Sequence, residues 1–117
     1  MIGRTRVSTM LPEIAGVVTL AFCANAFAAV DVDAAKELAR KNHCFKCHGV
    51  EKAKDGPAYI KVAEKYRGKA DAQQALFIHL TTGKKVKFPD GHEEEHRTVD
   101  TSDKGEIRNL VDWILSL

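Results

Sequence analysis

The chain has 117 residues, one small domain's worth at most. It carries 18 basic and 16 acidic residues, a formal +2, and a charge so near balance argues against nucleic acid as a bulk partner.

The first thirty residues read as an address. Arg4 and Arg6 form a positive start, Ile14 to Phe22 is an uncharged apolar run, and Ala26-Phe27-Ala28 is a small-x-small cleavage site. The expectation is a cleaved signal over residues 1–28 and a single exported, periplasmic domain over residues 29–117. Ala24-Asn25-Ala26 is a second cleavage candidate. Two other readings compete: an uncleaved anchor over Ile14 to Val30, short for a bilayer span, and a lipid attached at Cys23, where Phe22 is bulky for such a motif. Cleavage would remove Arg4, Arg6 and Glu13 and leave sixteen basic and fifteen acidic residues. It would also remove Cys23, leaving Cys44 and Cys47 as the only thiols.

A short helix is expected after Asp33, a candidate cap, with Ala35, Leu38 and Ala39 as its apolar face. It runs into Cys44-Phe45-Lys46-Cys47-His48, which has the C-x-x-C-H pattern of c-type haem attachment. Two thiols one helical turn apart add across the vinyl groups of haem, and the adjoining imidazole becomes the proximal iron ligand. A zinc site would need a second ligand pair, and a redox dithiol belongs with a βαβ pattern that the sequence lacks. About 89 residues are few for a self-sufficient core, and a covalent haem would supply apolar bulk.

Gly49 to Asp55 reads as loop. A second helix is expected from Gly56-Pro57, with Tyr59, Val62, Ala63 and Tyr66 at i, i+3, i+4, i+7 and Gly68 as its stop. A third runs from Asp71, a candidate cap, to Leu80, with Ala72, Ala75, Leu76 and Leu80 as its face and Gly83 ending it. Residues 83–101 show no periodicity and no strand pattern, an unusually long irregular stretch for so small a domain. Lys84, Lys85 and Lys87, and then Glu93-Glu94-Glu95, read as solvated charges. The last helix carries Ile107, Leu110, Val111 and Ile114 as a stripe beside Trp113, with Asp103 and Glu106 spaced as a capping box and Ser102 as the other candidate cap.

A helix leading into C-x-x-C-H, then Gly56-Pro57-Ala58-Tyr59, Val62-Ala63, Lys65-Tyr66 and Gly68, and finally Val111-Asp112-Trp113-Ile114-Leu115: this resembles the small class I c-type cytochromes of bacteria. The resemblance covers about Ala34 to Leu117. It implies an all-α fold, four to five short helices around one covalent haem c. It implies that the Pro57 carbonyl accepts a hydrogen bond from His48, that the first and last helices cross beside the haem, and that the function is electron transfer between redox proteins, not enzymatic catalysis.

One departure is large. The family's usual distal ligand is a methionine before the last helix, yet the only methionines are Met1 and Met10. In Phe88-Pro89-Asp90-Gly91-His92-Glu93-Glu94-Glu95-His96-Arg97, His96 lies within one residue of the methionine slot counted back from Trp113. His96 is therefore the expected distal ligand and His92 the second choice, with lysine, water or an empty sixth position as the remaining readings. The resemblance aligns His79 with a position that often carries a cation near a haem propionate. His43 is expected at the surface. His92-Glu93-Glu94-Glu95-His96 also matches H-E-x-x-H, but that zinc-protease pattern needs a buried helix, and Pro89 and Gly91 precede it without an apolar stripe. A haem sensor, or the haem subunit of a larger oxidoreductase, is the alternative to a free carrier. The donor and acceptor are left open, as is monomer against subunit, and no membrane span is expected in the mature chain.

Overall fold

The computed structural model describes residues 29–117, together with Gly3. The expected signal, the anchor alternative and Cys23 lie outside the described residues, apart from Gly3, Ala29 and Val30. Among the described residues no helix is long and apolar enough to cross a membrane.

Helix α1 spans Val32–Lys41, α2 Tyr59–Tyr66, α3 Ala72–Thr82 and α4 Lys104–Leu115. A single 3-10 turn covers Cys44–Lys46. Ala35 and Ala39 on α1 are fully buried, as are Leu110 and Val111 on α4, so small side chains let the first and last helices pack closely. The Asn109 side chain fixes that contact: its Oδ1 accepts from the Asp31 amide and its Nδ2 donates to the Asp31 carbonyl, both at 2.8 Å. α3 also packs on α4, and Gln73 donates to Asp112 across them at 2.7 Å. The core over which the helices close contains Tyr59, Leu76, Leu80, Ile107, Trp113 and Ile114.

The start of α1 differs from expectation. Asp31, not Asp33, caps it, its carboxylate accepting from the Ala34 amide at 2.9 Å. Asp33 falls in the first turn, where its charge faces the positive end of the helix dipole. α2 begins two residues later than Gly56-Pro57, with Ala58 at its cap position. Asp71 stands before α3, but its side chain makes no capping bond. At α4, Asp103 accepts from the Gly105 and Glu106 amides as expected. The capping box is not closed by Glu106 on Asp103, however. Thr101 intervenes: its hydroxyl donates to the Glu106 carboxylate at 2.8 Å and accepts from the Asp103 amide at 3.1 Å.

The stretch expected to be irregular contains a hairpin. Strands β1 (Lys85–Lys87) and β2 (Glu93–Glu95) pair antiparallel, with Lys85 opposite Glu95, Val86 opposite Glu94 and Lys87 opposite Glu93. Phe88 to Gly91 makes the turn, closed by the Gly91 amide on the Phe88 carbonyl and the Phe88 amide on the His92 carbonyl. With three residues per strand and only Val86 half-buried, there is no apolar alternation to read in the sequence. Opposite charges across the register favour the pairing instead.

Candidate haem site

The helices and the hairpin enclose a cavity of about 600 Å³, within the size range of small-molecule and cofactor sites. The C-x-x-C-H segment forms one wall. After α1 the chain turns sharply at His43, which is exposed and left-handed with φ 57°, and enters the 3-10 turn carrying Cys44. The His48 amide donates to the Cys44 carbonyl at 2.9 Å, so Cys44 and His48 sit one turn apart on the same cavity. Both thiols are half-buried and unpaired. Burial pushes the Cys44 thiol above its ordinary value, opposed by a hydrogen bond from Tyr59.

His48 is held on three sides. Its Nδ1–H donates to the Pro57 carbonyl at 2.7 Å. Its ring stacks on Tyr59, centroids 5.1 Å apart and planes within 16°. Gly56 supplies the third contact: a Cβ there would lie 2.5 Å from His48 Cε1, so only glycine lets the chain pass behind the imidazole. Neither Tyr59 nor Gly56 was assigned to the site from sequence. The signal for Tyr59 is its place two residues after Pro57, on the apolar stripe of α2.

The opposite wall carries His96, directly after β2. Its amide donates to the Lys84 carbonyl at 2.9 Å, and the Val99 amide donates to the Leu80 carbonyl at 2.9 Å, which fastens the segment to the end of α3. Gly83 makes that end in a left-handed conformation, φ 61°. Asn42, buried after α1, reaches the same segment: it accepts from the Asp100 amide at 2.7 Å and donates to the Leu38 carbonyl at 3.0 Å. The His96 and His48 ring centroids stand 6.0 Å apart, with planes at 48°. His96 Nδ1 is buried without a hydrogen-bond partner. Burial, then the charge of His48, holds this imidazole below the ordinary histidine range, with the Arg97 main chain pulling the other way.

The other histidines lie differently. His79 lines the cavity from α3, its ring centroid 4.5 Å from that of His96. Burial first, then the charges of His96, Lys84 and Lys65, lower its pKa. His92 does not line the cavity. It stacks on Phe88 at 4.4 Å, its Nδ1 pairs with Asp90 and its Nε2 with Glu94 at 3.1 Å, and these bonds raise its pKa. The H-E-x-x-H match falls on a strand, not a helix, and its two histidines do not share a pocket.

Among the described residues there is no cluster of three or more histidine, cysteine or acidic side chains able to hold a bare metal ion. The donor set suits a metal carried in a macrocycle: two thiols on one rim, one imidazole on each wall, and Val62, Leu76, Leu80, Val99 and Ile114 as apolar lining. His48 is pre-oriented by Pro57, and the glycine at position 56 keeps its ring free of collision. The residues fit a covalent haem.

Comparison with known proteins gives the same direction. A family model for cytochrome c matches residues 32–117. Cytochrome c-551 of Allochromatium vinosum is 41% identical over 80 residues, covering 68% of this chain and 82% of that protein. Cytochrome c-552 of Hydrogenobacter thermophilus is 32% identical, covering 70% and 80%. The crystal structure of the class 1 cytochrome MtoD from Sideroxydans lithotrophicus ES-1 superposes with a TM-score of 0.74 at 68% identity, covering 75% of this chain and 97% of that one.

Proposed function

This chain belongs to the cytochrome c family and carries one covalent haem c, and we propose that it passes single electrons between redox proteins with the iron held by His48 and His96. Family membership makes it an electron carrier, not an enzyme. The bound haem supplies a one-electron ferric–ferrous couple. In this reading Cys44 and Cys47 provide the two thioethers and His48 Nε2 the proximal bond. The Pro57 carbonyl fixes the ring and strengthens it as a ligand, as an acceptor on the far nitrogen does. The apolar lining excludes water and so limits solvent reorganisation when the charge changes.

The observation that carries the distal assignment is the 6.0 Å between the His48 and His96 centroids. Two nitrogens at ~2.0–2.1 Å from one ion, with roughly 1.1 Å of ring behind each, allow imidazole centroids to stand at most about 6.3 Å apart, so rings 6.0 Å apart would both reach one metal. His48 Nδ1 is taken by the Pro57 carbonyl and His96 Nδ1 is buried, and in this reading each Nε2 is the donor to the metal. His92 is occupied by Asp90 and Glu94, and methionine is absent from residues 29–117. The reading extends to an export signal over residues 1–28 and a periplasmic domain over residues 29–117, supported by the sequence pattern and by the cell compartment in which haem c is attached.

The test is spectroscopic. The purified protein should carry one haem mass increment and be low-spin in both oxidation states. His96→Ala should turn high-spin at neutral pH and bind carbon monoxide when reduced, while His92→Ala should match the parent. Methionine–histidine ligation raises haem potential, so the midpoint should fall below that of methionine-ligated relatives of similar exposure. A low-spin spectrum untouched by His96→Ala would refute the ligand assignment. A high-spin parent would favour a sensor.

A further inference from the structure

The two candidate ligands are not supported alike. His48 gives its outward N–H to a carbonyl, and His96 Nδ1 has no partner although it is buried. It is the one buried side-chain nitrogen or oxygen in that condition among the described residues. A metal-bound histidine ordinarily donates its second N–H to an acceptor, which orients the ring and raises its basicity. A buried donor left without one is costly.

His79 is placed to serve. It lies on the last turns of α3, and the same end of α3 holds the His96 segment through Lys84 and Leu80. The two histidines therefore belong to one backbone unit, and their separation is set by main-chain bonds. Their rings are 4.5 Å apart at 45°, near enough to pack but not aligned for a hydrogen bond. A neutral imidazole has one acceptor nitrogen, and rotation about the His79 side-chain bonds can present it.

We propose that His79 is a positioning residue for the distal ligand: its ring packs against His96 and accepts the Nδ1–H, doing for His96 what the Pro57 carbonyl does for His48. This rests on His96 being the iron ligand. It also replaces the role that the alignment suggested, a cation beside a haem propionate. The Arg97 main chain also lies within hydrogen-bonding reach of the His96 ring; were it the acceptor, removing His79 would leave the distal bond as it was.

Three variants of the haem-loaded protein separate these roles. His79→Leu keeps bulk and removes the acceptor, His79→Arg keeps a cation, and His79→Gln keeps an acceptor. The readouts are the low-temperature EPR g-values of the ferric protein and the rate at which added imidazole displaces the distal ligand. His79→Leu and His79→Arg should both shift the g-values and weaken distal binding, with displacement about 10–100-fold faster, the range for losing a ligand's hydrogen-bonded support. His79→Gln should lie close to the parent. The proposal is overturned if His79→Leu matches the parent in both measurements, or if Arg restores the parent's behaviour and Gln does not. His96→Ala measured alongside tells the two failures apart. If it stays low-spin, the ligand assignment has failed; if it turns high-spin while His79→Leu is unchanged, only the role of His79 has.

Discussion

Gly56→Ala probes the proximal side through a single methyl group. The added Cβ would lie 2.5 Å from His48 Cε1, 2.9 Å from Nδ1 and 3.0 Å from Nε2. Contacts under 3.0 Å cannot persist, so either the imidazole or the main chain must move. The ring has little freedom: Tyr59 stacks on one face, the Pro57 carbonyl holds Nδ1, and a bound iron would hold Nε2. Overpacking in a filled site costs about 1–3 kcal/mol, and disturbing the His48–Pro57 bond adds about 1 kcal/mol. A loss of roughly 2–4 kcal/mol is expected. Guanidinium unfolding of the haem-loaded variant, followed by far-ultraviolet circular dichroism and by the Soret band, measures it. A variant within about 0.5 kcal/mol of the parent, the range of an inconsequential surface change, with an unaltered spectrum would refute the close approach at position 56.

Asn42→Ala removes the bridge between the end of α1 and the segment after His96, leaving the buried Leu38 carbonyl and the Asp100 amide without their side-chain partner. A loss of about 1–3 kcal/mol is expected by denaturant unfolding, and hydrogen exchange at Asp100 should quicken more than exchange in α4. The hairpin tip should respond to pH through His92. Its pKa is raised by the Asp90 hydrogen bond and then by Glu94, so the stabilisation is full below the unfolded histidine value and is lost as pH rises through the folded value. The Asp90 carboxyl is lowered by the His92 backbone and side-chain bonds, so that side of the clip is present above its unfolded value and fades as pH falls through the folded one. NMR titration of the His92 ring should give a pKa above that of an unstructured histidine. Asp90→Asn should bring it down, and an unshifted ring in the parent would refute the clip.

Much of the fold is legible because each helix carries an apolar stripe, and α2 and α3 a glycine stop as well. Gly68 and Gly83 both take positive φ, and the stripes on α1 and α4 are the surfaces that meet. The hairpin was not legible, since strands of three residues with charged side chains on both faces have no period to detect. The proximal half of the site was readable from five adjacent residues, because there the chemistry is local in sequence. Its supports were not: Gly56 reads as a helix start, and only the folded chain shows that it faces the His48 ring. His79 is the harder case. Alignment gives its place on a helix, but that it faces the His96 ring depends on how α3 meets the hairpin.

Chain distance alone does not separate His92 from His96. They lie 44 and 48 residues after His48, and loop-closure entropy grows so slowly with length that the two closures differ by less than about 0.1 kcal/mol. In an open chain either imidazole could reach the iron at nearly equal cost. With His96 as the proposed ligand, the selection has to come from the folded hairpin, and it has two parts. At the tip, Asp90 and Glu94 occupy both nitrogens of His92 and favour its protonated form, which has no lone pair for a metal. At the base, the amides of His96 and Val99 are bound to the end of α3, which delivers the His96 ring to the cavity and, by burying it, favours the neutral form that can ligate. The same two strands thus withhold one histidine and present the other. Strand alternation does not tell the two apart, since His92, Glu94 and His96 fall on one parity; what separates the histidines is their place along the hairpin, tip against base.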